Sequence, residues 1–413
     1  MICRRRIISG LALCLLLAGA GTARDITVGP DGAVATLKAA IALAHDGDRI
    51  IVQPGVYHEG TIEVFKSIEI IGVDRPVFDG DGGQAFTVTA DNVTIRGLVI
   101  RNVTVSFVED RAGIKVDDVR GCRIEDNRLE DTFFGIYLAK SANCQILGNQ
   151  IIGAAHRESQ SGNGIHLWYS RDIVIEDNVV SGHRDGIYFE FVEDALIQRN
   201  VSTGNVRYGL HFMFSDRCTY VQNRFQQNGA GVAVMYTENV QMTDNIFEDN
   251  WGGSSYGLLL KDITDSHIVS NVFRGNSTGL YAEGINRVRV ESNDFEENGW
   301  AVRIMANSMD NTFSNNNFTG NTFDVATNSR NNFSTFHANY WDNYRGFDLD
   351  RDGFGDVPFR PVRLFSQIVQ QNEPALMLLR SFFVSILDFT ERIIPIMTPD
   401  TLVDSKPVMN RIQ

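Results

Sequence analysis

Cys218-Thr219-Tyr220-Val221-Gln222-Asn223-Arg224-Phe225, continued after a short polar turn by Gly231-Val232-Ala233-Val234, is one unit of a repeat. Its asparagine recurs at 127, 149, 178, 200, 223, 245, 271, 293 and 316, and six of the eight spacings are 22 or 23 residues. Three residues earlier stand Ile124, Ile146, Ile175, Ile197, Tyr220, Met242, Ile268, Val290 and Phe313. Two residues later stand Leu129, Ile151, Val180, Ser202, Phe225, Phe247, Phe273, Phe295 and Phe318. The positions between are mostly polar, the period-two alternation of a strand with one buried face. A second strand follows a glycine in each unit, from Gly113-Ile114 through Gly209-Leu210 to Gly279-Leu280.

Such a unit cannot bury its apolar face alone, but stacking places like residues above one another at about 4.8 Å. The pattern predicts an all-β fold, a right-handed parallel β-helix solenoid in which Phe225, Phe247, Phe273, Phe295 and Phe318 form an internal ladder. The recurring asparagine suits a turn, because it tolerates left-handed φ and its side chain can bond nearby backbone. The two long spacings hold Gly153 to Asn163 and Trp251 to Tyr256, read as loops pushed out of their coils. Neither the Leu-dominated consensus of leucine-rich repeats nor the six-residue period of left-handed β-helices is present. Open ends of a solenoid need covers. Leu37 to His45 has helical character and supplies one, while regular coils fade after about 335 and the pattern turns helix-like after 372.

Arg4, Arg5 and Arg6 followed by apolar Ile7 to Ala18 read as an export signal, with cleavage after Gly21-Thr22-Ala23. The expected organisation is a signal peptide over 1–23, a β-helix over 24–372 and a C-terminal helical docking segment over 373–413. Without the signal, 34 basic face 51 acidic side chains, a formal charge of −17. That balance disfavours nucleic acid and anionic membranes as partners. Cys122, Cys144 and Cys218 share a column with Ile173, Ala195, Val240 and Val288, so they point into the core. Cys122 and Cys144 fall on adjacent coils, which leaves a disulfide between them as an alternative.

The segment Asn339-Tyr340-Trp341-Asp342-Asn343-Tyr344, with Gly346, Asp348, Asp350, Asp352-Gly353, Gly355-Asp356 and Pro358, is similar to the end of sugar-hydrolase-type β-helices. More narrowly, the chain resembles the NosD family of periplasmic accessory proteins for nitrous oxide reductase maturation. Gly209-Leu210-His211-Phe212-Met213-Phe214-Ser215 carries the same resemblance, as do Thr390-Glu391-Arg392, Pro395, Thr398-Pro399-Asp400 and Asp404 to Pro407. The resemblance implies a periplasmic protein acting with an ATP-binding-cassette ATPase, its membrane permease, apo nitrous oxide reductase and a copper chaperone. It implies copper or sulfur as cargo and no catalytic chemistry in this chain.

Two constellations could hold metal. Two and four residues after each glycine the chain faces outward, giving columns Tyr137, His166, Tyr188, His211, Ala233 and Ala139, Trp168, Glu190, Met213, Met235. Methionine usually fills cores, so Met213 and Met235 on an outer face are unusual. Thioether and imidazole suit soft Cu(I), and His211, Met213 and Met235 form the expected site. A protein-docking patch is the competing reading. In Asp348-Leu349-Asp350-Arg351-Asp352-Gly353-Phe354-Gly355-Asp356, carboxylates at positions one, three, five and nine resemble a Ca²⁺ loop without the helices or final Glu of an EF-hand. The competing reading there is a turn pinned by its own hydrogen bonds.

Parallel β-helices are also polysaccharide lyases, epimerases and carbohydrate-binding modules, and fold alone does not separate these. Lys115, Arg184, Asp185 and Glu190 could serve such chemistry, but the columns beside them are dominated by Tyr, His, Trp and Met.

Overall fold

The computed structural model describes residues 23–413, apart from 30, 31, 33, 107, 306, 329–332, 380 and 394–401; the expected signal peptide lies outside them but for Ala23. The chain winds through three parallel sheets of 14, 12 and 13 strands, each strand paired with its counterpart one coil away. This is the right-handed parallel β-helix expected from the repeat. The residues before each asparagine lie in the 14-stranded sheet, those after it in the 13-stranded sheet, and those after each glycine in the 12-stranded sheet. Both expected loops leave their coils, the first carrying a short 3₁₀ turn at Glu158–Gln160.

The interior is layered. Phe225, Phe247, Phe273, Phe295 and Phe318 stack at 5.6, 4.7, 4.8 and 5.0 Å between ring centres. Trp341 closes the stack at 4.0 Å from Phe318. Such offset stacks add to the burial that each ring contributes.

The asparagines are placed differently from the turn reading. They are buried, and the left-handed φ falls on the residue before each, such as Asp177 (56°), Arg199 (53°), Gln222 (56°) and Asp244 (56°). From Asn149 onward each asparagine instead accepts from the backbone N–H and the side-chain amide of its counterpart one coil back, as Asn223 does from Asn200, both at 3.0 Å. Its own amide donates to a backbone carbonyl of an earlier strand, Asn223 to Ile197 at 2.9 Å. The ladder therefore satisfies polar groups that the corner would otherwise leave buried without partners. A second ladder runs through Asn205, Asn228, Asn250, Asn276, Asn298 and Asn321 at the next corner.

His183 stands where the second ladder should continue. Its backbone N–H donates to Asn205 Oδ1 at 3.1 Å, but both ring nitrogens are buried without partners. Burial pushes its pKa down to about 4. His166 is pushed down to about 3 by burial and then by the Arg184 charge. A folded-state pKa below the unfolded value means that the unfolded chain binds more protons, so stability falls as pH drops below about 6.5. Between pH 6.5 and 5 each histidine removes up to about 2 kcal/mol. His183→Asn continues the ladder and removes one titrating group. Its melting temperature is expected to fall less than the parent's between pH 7 and pH 5, as calorimetry at the two pH values would show.

Both ends are covered. Helix α1 (Leu37–Leu43), N-capped by Thr36, buries Leu37, Ala40 and Ile41 over the first coil. At the other end, α2 (Leu364–Gln371) sets Phe365 and Val369 against Phe323, and α3 (Phe382–Ile393) adds Val384. The helical segment thus begins before residue 373, and the last residues return to the solenoid. Asp404, fully buried, accepts from Asn339 N and Nδ2 and from Trp341 Nε1, all at 3.0 Å. It ends the first asparagine ladder from 65 residues further along the chain.

Candidate functional site

The 12-stranded sheet has the register predicted for its outer columns. His166 pairs with Tyr188 and Tyr188 with His211; Trp168 pairs with Glu190, Glu190 with Met213, and Met213 with Met235. Met213 and Met235 are half-buried neighbours on adjacent strands, with Lys261 next to Met235.

His211 departs from the expectation of an open outer face. It shares the strand face of Met213, yet only 6% of it is exposed. Tyr188 and Tyr208 pack on its ring at 5.1 and 4.9 Å, and Arg207 Nη2 approaches Nδ1 at 3.3 Å. The cover follows from charge. Asp185, wholly buried, is gripped by Arg207 through Nε at 2.8 Å and Nη2 at 2.5 Å, with Arg184 at 3.6 Å. Burial works to raise the Asp185 pKa, but hydrogen bonds and charge from Arg207 and His211 hold it below the ordinary value. The buried His211 Nε2 has no hydrogen-bond partner. Imidazole nitrogen and thioether are donor types that suit a soft monovalent metal, and Asp185 stands 3.9 Å from His211 Nδ1 to orient the ring.

A further column escaped the sequence reading. Five residues after each glycine the backbone has left-handed φ, and Asp118, Lys140, Asp262 and Gly284 occupy it at 54°, 52°, 51° and 67°. In the four coils between Lys140 and Asp262 the same position holds Tyr169, Phe191, Phe214 and Tyr236, at 48–56°. Large side chains are uncommon there and cost about 1–2 kcal/mol each. These four are 52, 37, 41 and 40% exposed and stack at 4.5, 5.3 and 5.1 Å. Stacking returns some of the strain, yet the result is an exposed apolar stripe beside Met213 and Met235. Its signal in the sequence was four consecutive aromatics where other coils place Asp, Lys or Gly.

Asp348, Asp350 and Asp352 bring carboxylate oxygens within 4.8 Å of one another. The same carboxylates also bond loop amides, Asp348 to Gly353 N at 3.0 Å and Asp352 to Phe354 N at 2.8 Å. Asp356 turns instead to Leu349 N, at 2.6 Å. The three cysteines are buried free thiols, and Cys144 Sγ accepts from Cys122 N at 3.3 Å. Burial pushes the Cys218 thiol up to about 12.

The residues suited to polysaccharide chemistry do not assemble into an acid pair. Asp185 is consumed by Arg207, and Glu190 stands five residues along the same strand, roughly 16 Å away. Paired glycosidase carboxylates stand about 5–9.5 Å apart.

Fold and face define the class, a single-chain parallel β-helix whose outer sheet carries thioethers and exposed aromatics. The architecture is shared by the mannuronan C-5 epimerase AlgE4 A-module of Azotobacter vinelandii, with TM-score 0.50 and 16% identity over 73% of this chain and 88% of that one. It is shared also by PfbA, a surface adhesin of Streptococcus pneumoniae, with TM-score 0.55 and 10% identity over 74% and 87%. At such identities the likeness is of fold alone. The chain belongs to the NosD family, whose model, described as "Periplasmic copper-binding protein (NosD)", matches residues 41–158 and 148–346. A protein of Pseudomonas aeruginosa named "Probable ABC transporter binding protein NosD" is 30% identical over 97% of this chain and 95% of its own. Its namesake in Stutzerimonas stutzeri is 26% identical over 98% and 94%. No helix among the described residues is long and apolar enough to cross a membrane.

Proposed function

We propose that this protein is a non-catalytic periplasmic component of nitrous oxide reductase maturation, and that it carries Cu(I) as cargo on the Met213–Met235 pair with His211 Nε2 as a third donor. The observation that carries the reading is the register of Met213 with Met235 on one outer face, in a family described as copper-binding. The aromatic stripe beside the pair is the docking surface for the protein that delivers or receives the metal, a copper chaperone or the apo-enzyme. The C-terminal helices engage the permease of an ABC-type complex and, through it, the ATPase; the relatives' printed names support this arm. In cells that make nitrous oxide reductase, Met213→Ala/Met235→Ala is expected to leave the enzyme copper-poor. Full copper content with the double variant as the only copy defeats the proposal.

The stripe has its own test. Asparagine adopts left-handed φ readily, so Phe191→Asn/Phe214→Asn relieves strain while losing stacking. Stability is expected to stay within about 1 kcal/mol of the parent. Copurification of the copper-delivering or receiving partner should drop sharply.

The Asp348, Asp350, Asp352 cluster, with Asp356 able to join it, is proposed to hold Ca²⁺, because three carboxylates already converge. Calcium should then raise the melting temperature and chelation lower it. A curve unmoved by either assigns the cluster to the turn alone.

A further inference from the structure

The loop Trp251 to Tyr256 and the C-terminal helices enclose a cavity of about 520 Å³ against the outer face of the 12-stranded sheet. Its walls include Trp251, Tyr256, Trp300 and Phe323 from the solenoid, and Leu376 and Leu379 from the tail. Among the described residues, one cation lines this cavity. The Arg303 guanidinium lies over the rings of Tyr281 and Trp300, at 5.4 and 5.5 Å. Its Nε is buried and has no hydrogen-bond partner. Arg207, Arg217, Arg224, Arg274 and Arg287 all hold carboxylates. Arg303 has no carboxylate partner among the described residues, although Glu373 lines the same cavity.

Burying a guanidinium donor without an acceptor is costly, and ring faces only partly compensate. A volume of this size with largely apolar walls and a few polar groups, here Ser255, Thr278, Thr322 and Gln370 beside Arg303, is the usual form of a small-molecule site. We infer that the cavity binds an amphipathic monocarboxylate, with the carboxylate on Arg303 and the apolar body between Trp251, Trp300, Leu376 and Leu379. The Arg303 side chain is partly exposed and lines the cavity, and the guanidinium fork matches a carboxylate. The loop of one coil and the helical tail both contribute walls, so occupancy fastens the tail to the solenoid.

The test is calorimetric titration of the full mature chain with octanoate. Octanoate is expected to bind one-to-one, and Arg303→Met, which keeps the stacking but not the charge, to weaken it about tenfold or more. Trp251→Ala, at a side chain 66% exposed and so harmless to the fold, should also weaken it. Octanol is expected to compete poorly. Absence of saturable binding, equal binding by Arg303→Met, or equal competition by octanol overturns the inference; melting curves of both variants establish that they are folded.

Discussion

Asn245→Ala is expected to lower the unfolding free energy by about 3–5 kcal/mol. The Asn245 amide donates to Tyr220 O at 2.9 Å, Thr243 O at 3.1 Å and Asn271 Oδ1 at 3.0 Å. Its carbonyl oxygen accepts from Asn223 N and Nδ2, both at 3.0 Å. Alanine leaves the Asn223 N–H and the Tyr220 carbonyl inside the corner, where water cannot replace the lost partner. Each orphaned group costs about 1–3 kcal/mol, beyond the bonds themselves. Denaturant unfolding monitored by circular dichroism measures the loss. A change below about 1 kcal/mol would mean that the corner admits water and that the ladder is not a cohesive element.

Phe382→Ser/Ile386→Ser/Phe389→Ser is expected to abolish association with the permease while leaving the solenoid's melting temperature unchanged. These residues stand at i, i+4 and i+7 on α3, so they share one face. They are 80, 46 and 65% exposed, too much to be holding the fold. Burying each against a partner contributes about 1.5–3 kcal/mol, so removing three weakens binding roughly 1,000-fold or more. Affinity copurification from membranes of cells expressing the complex reads this directly. Substitution is a cleaner test than deleting 373–413, because that deletion also removes Asp404 and uncaps the asparagine ladder.

The coil, its inward columns and its helical caps were legible because stacking makes each position an average over many repeats. A side chain that must pack on its own kind repeats, as Phe225 to Phe318 do. The pairing of Met213 with Met235 was legible for the same reason, since register follows once the repeat is aligned. What escaped depends on single residues. The burial of His211 follows from Arg207, Asp185 and Tyr208, which no repeat encodes. Asp404 caps the ladder from a tail with no periodicity. The asparagine's role was half legible: its side chain does bond backbone, but inward and across coils, while the turn conformation belongs to its predecessor. Tyr169, Phe191 and Phe214 were missed because they sit one residue past their strands, where the period-two reading stops, and Tyr236 because its strand runs on to Glu238.

The central claim rests on two thioethers one coil apart, and competition titration of the mature protein with a chromophoric Cu(I) chelator under anaerobic conditions tests it most directly. One Cu(I) per chain is expected, weakened about 100-fold or more by Met213→Ala/Met235→Ala and to a lesser degree by His211→Ala. Identical Cu(I) affinity in the parent and the double methionine variant would contradict it.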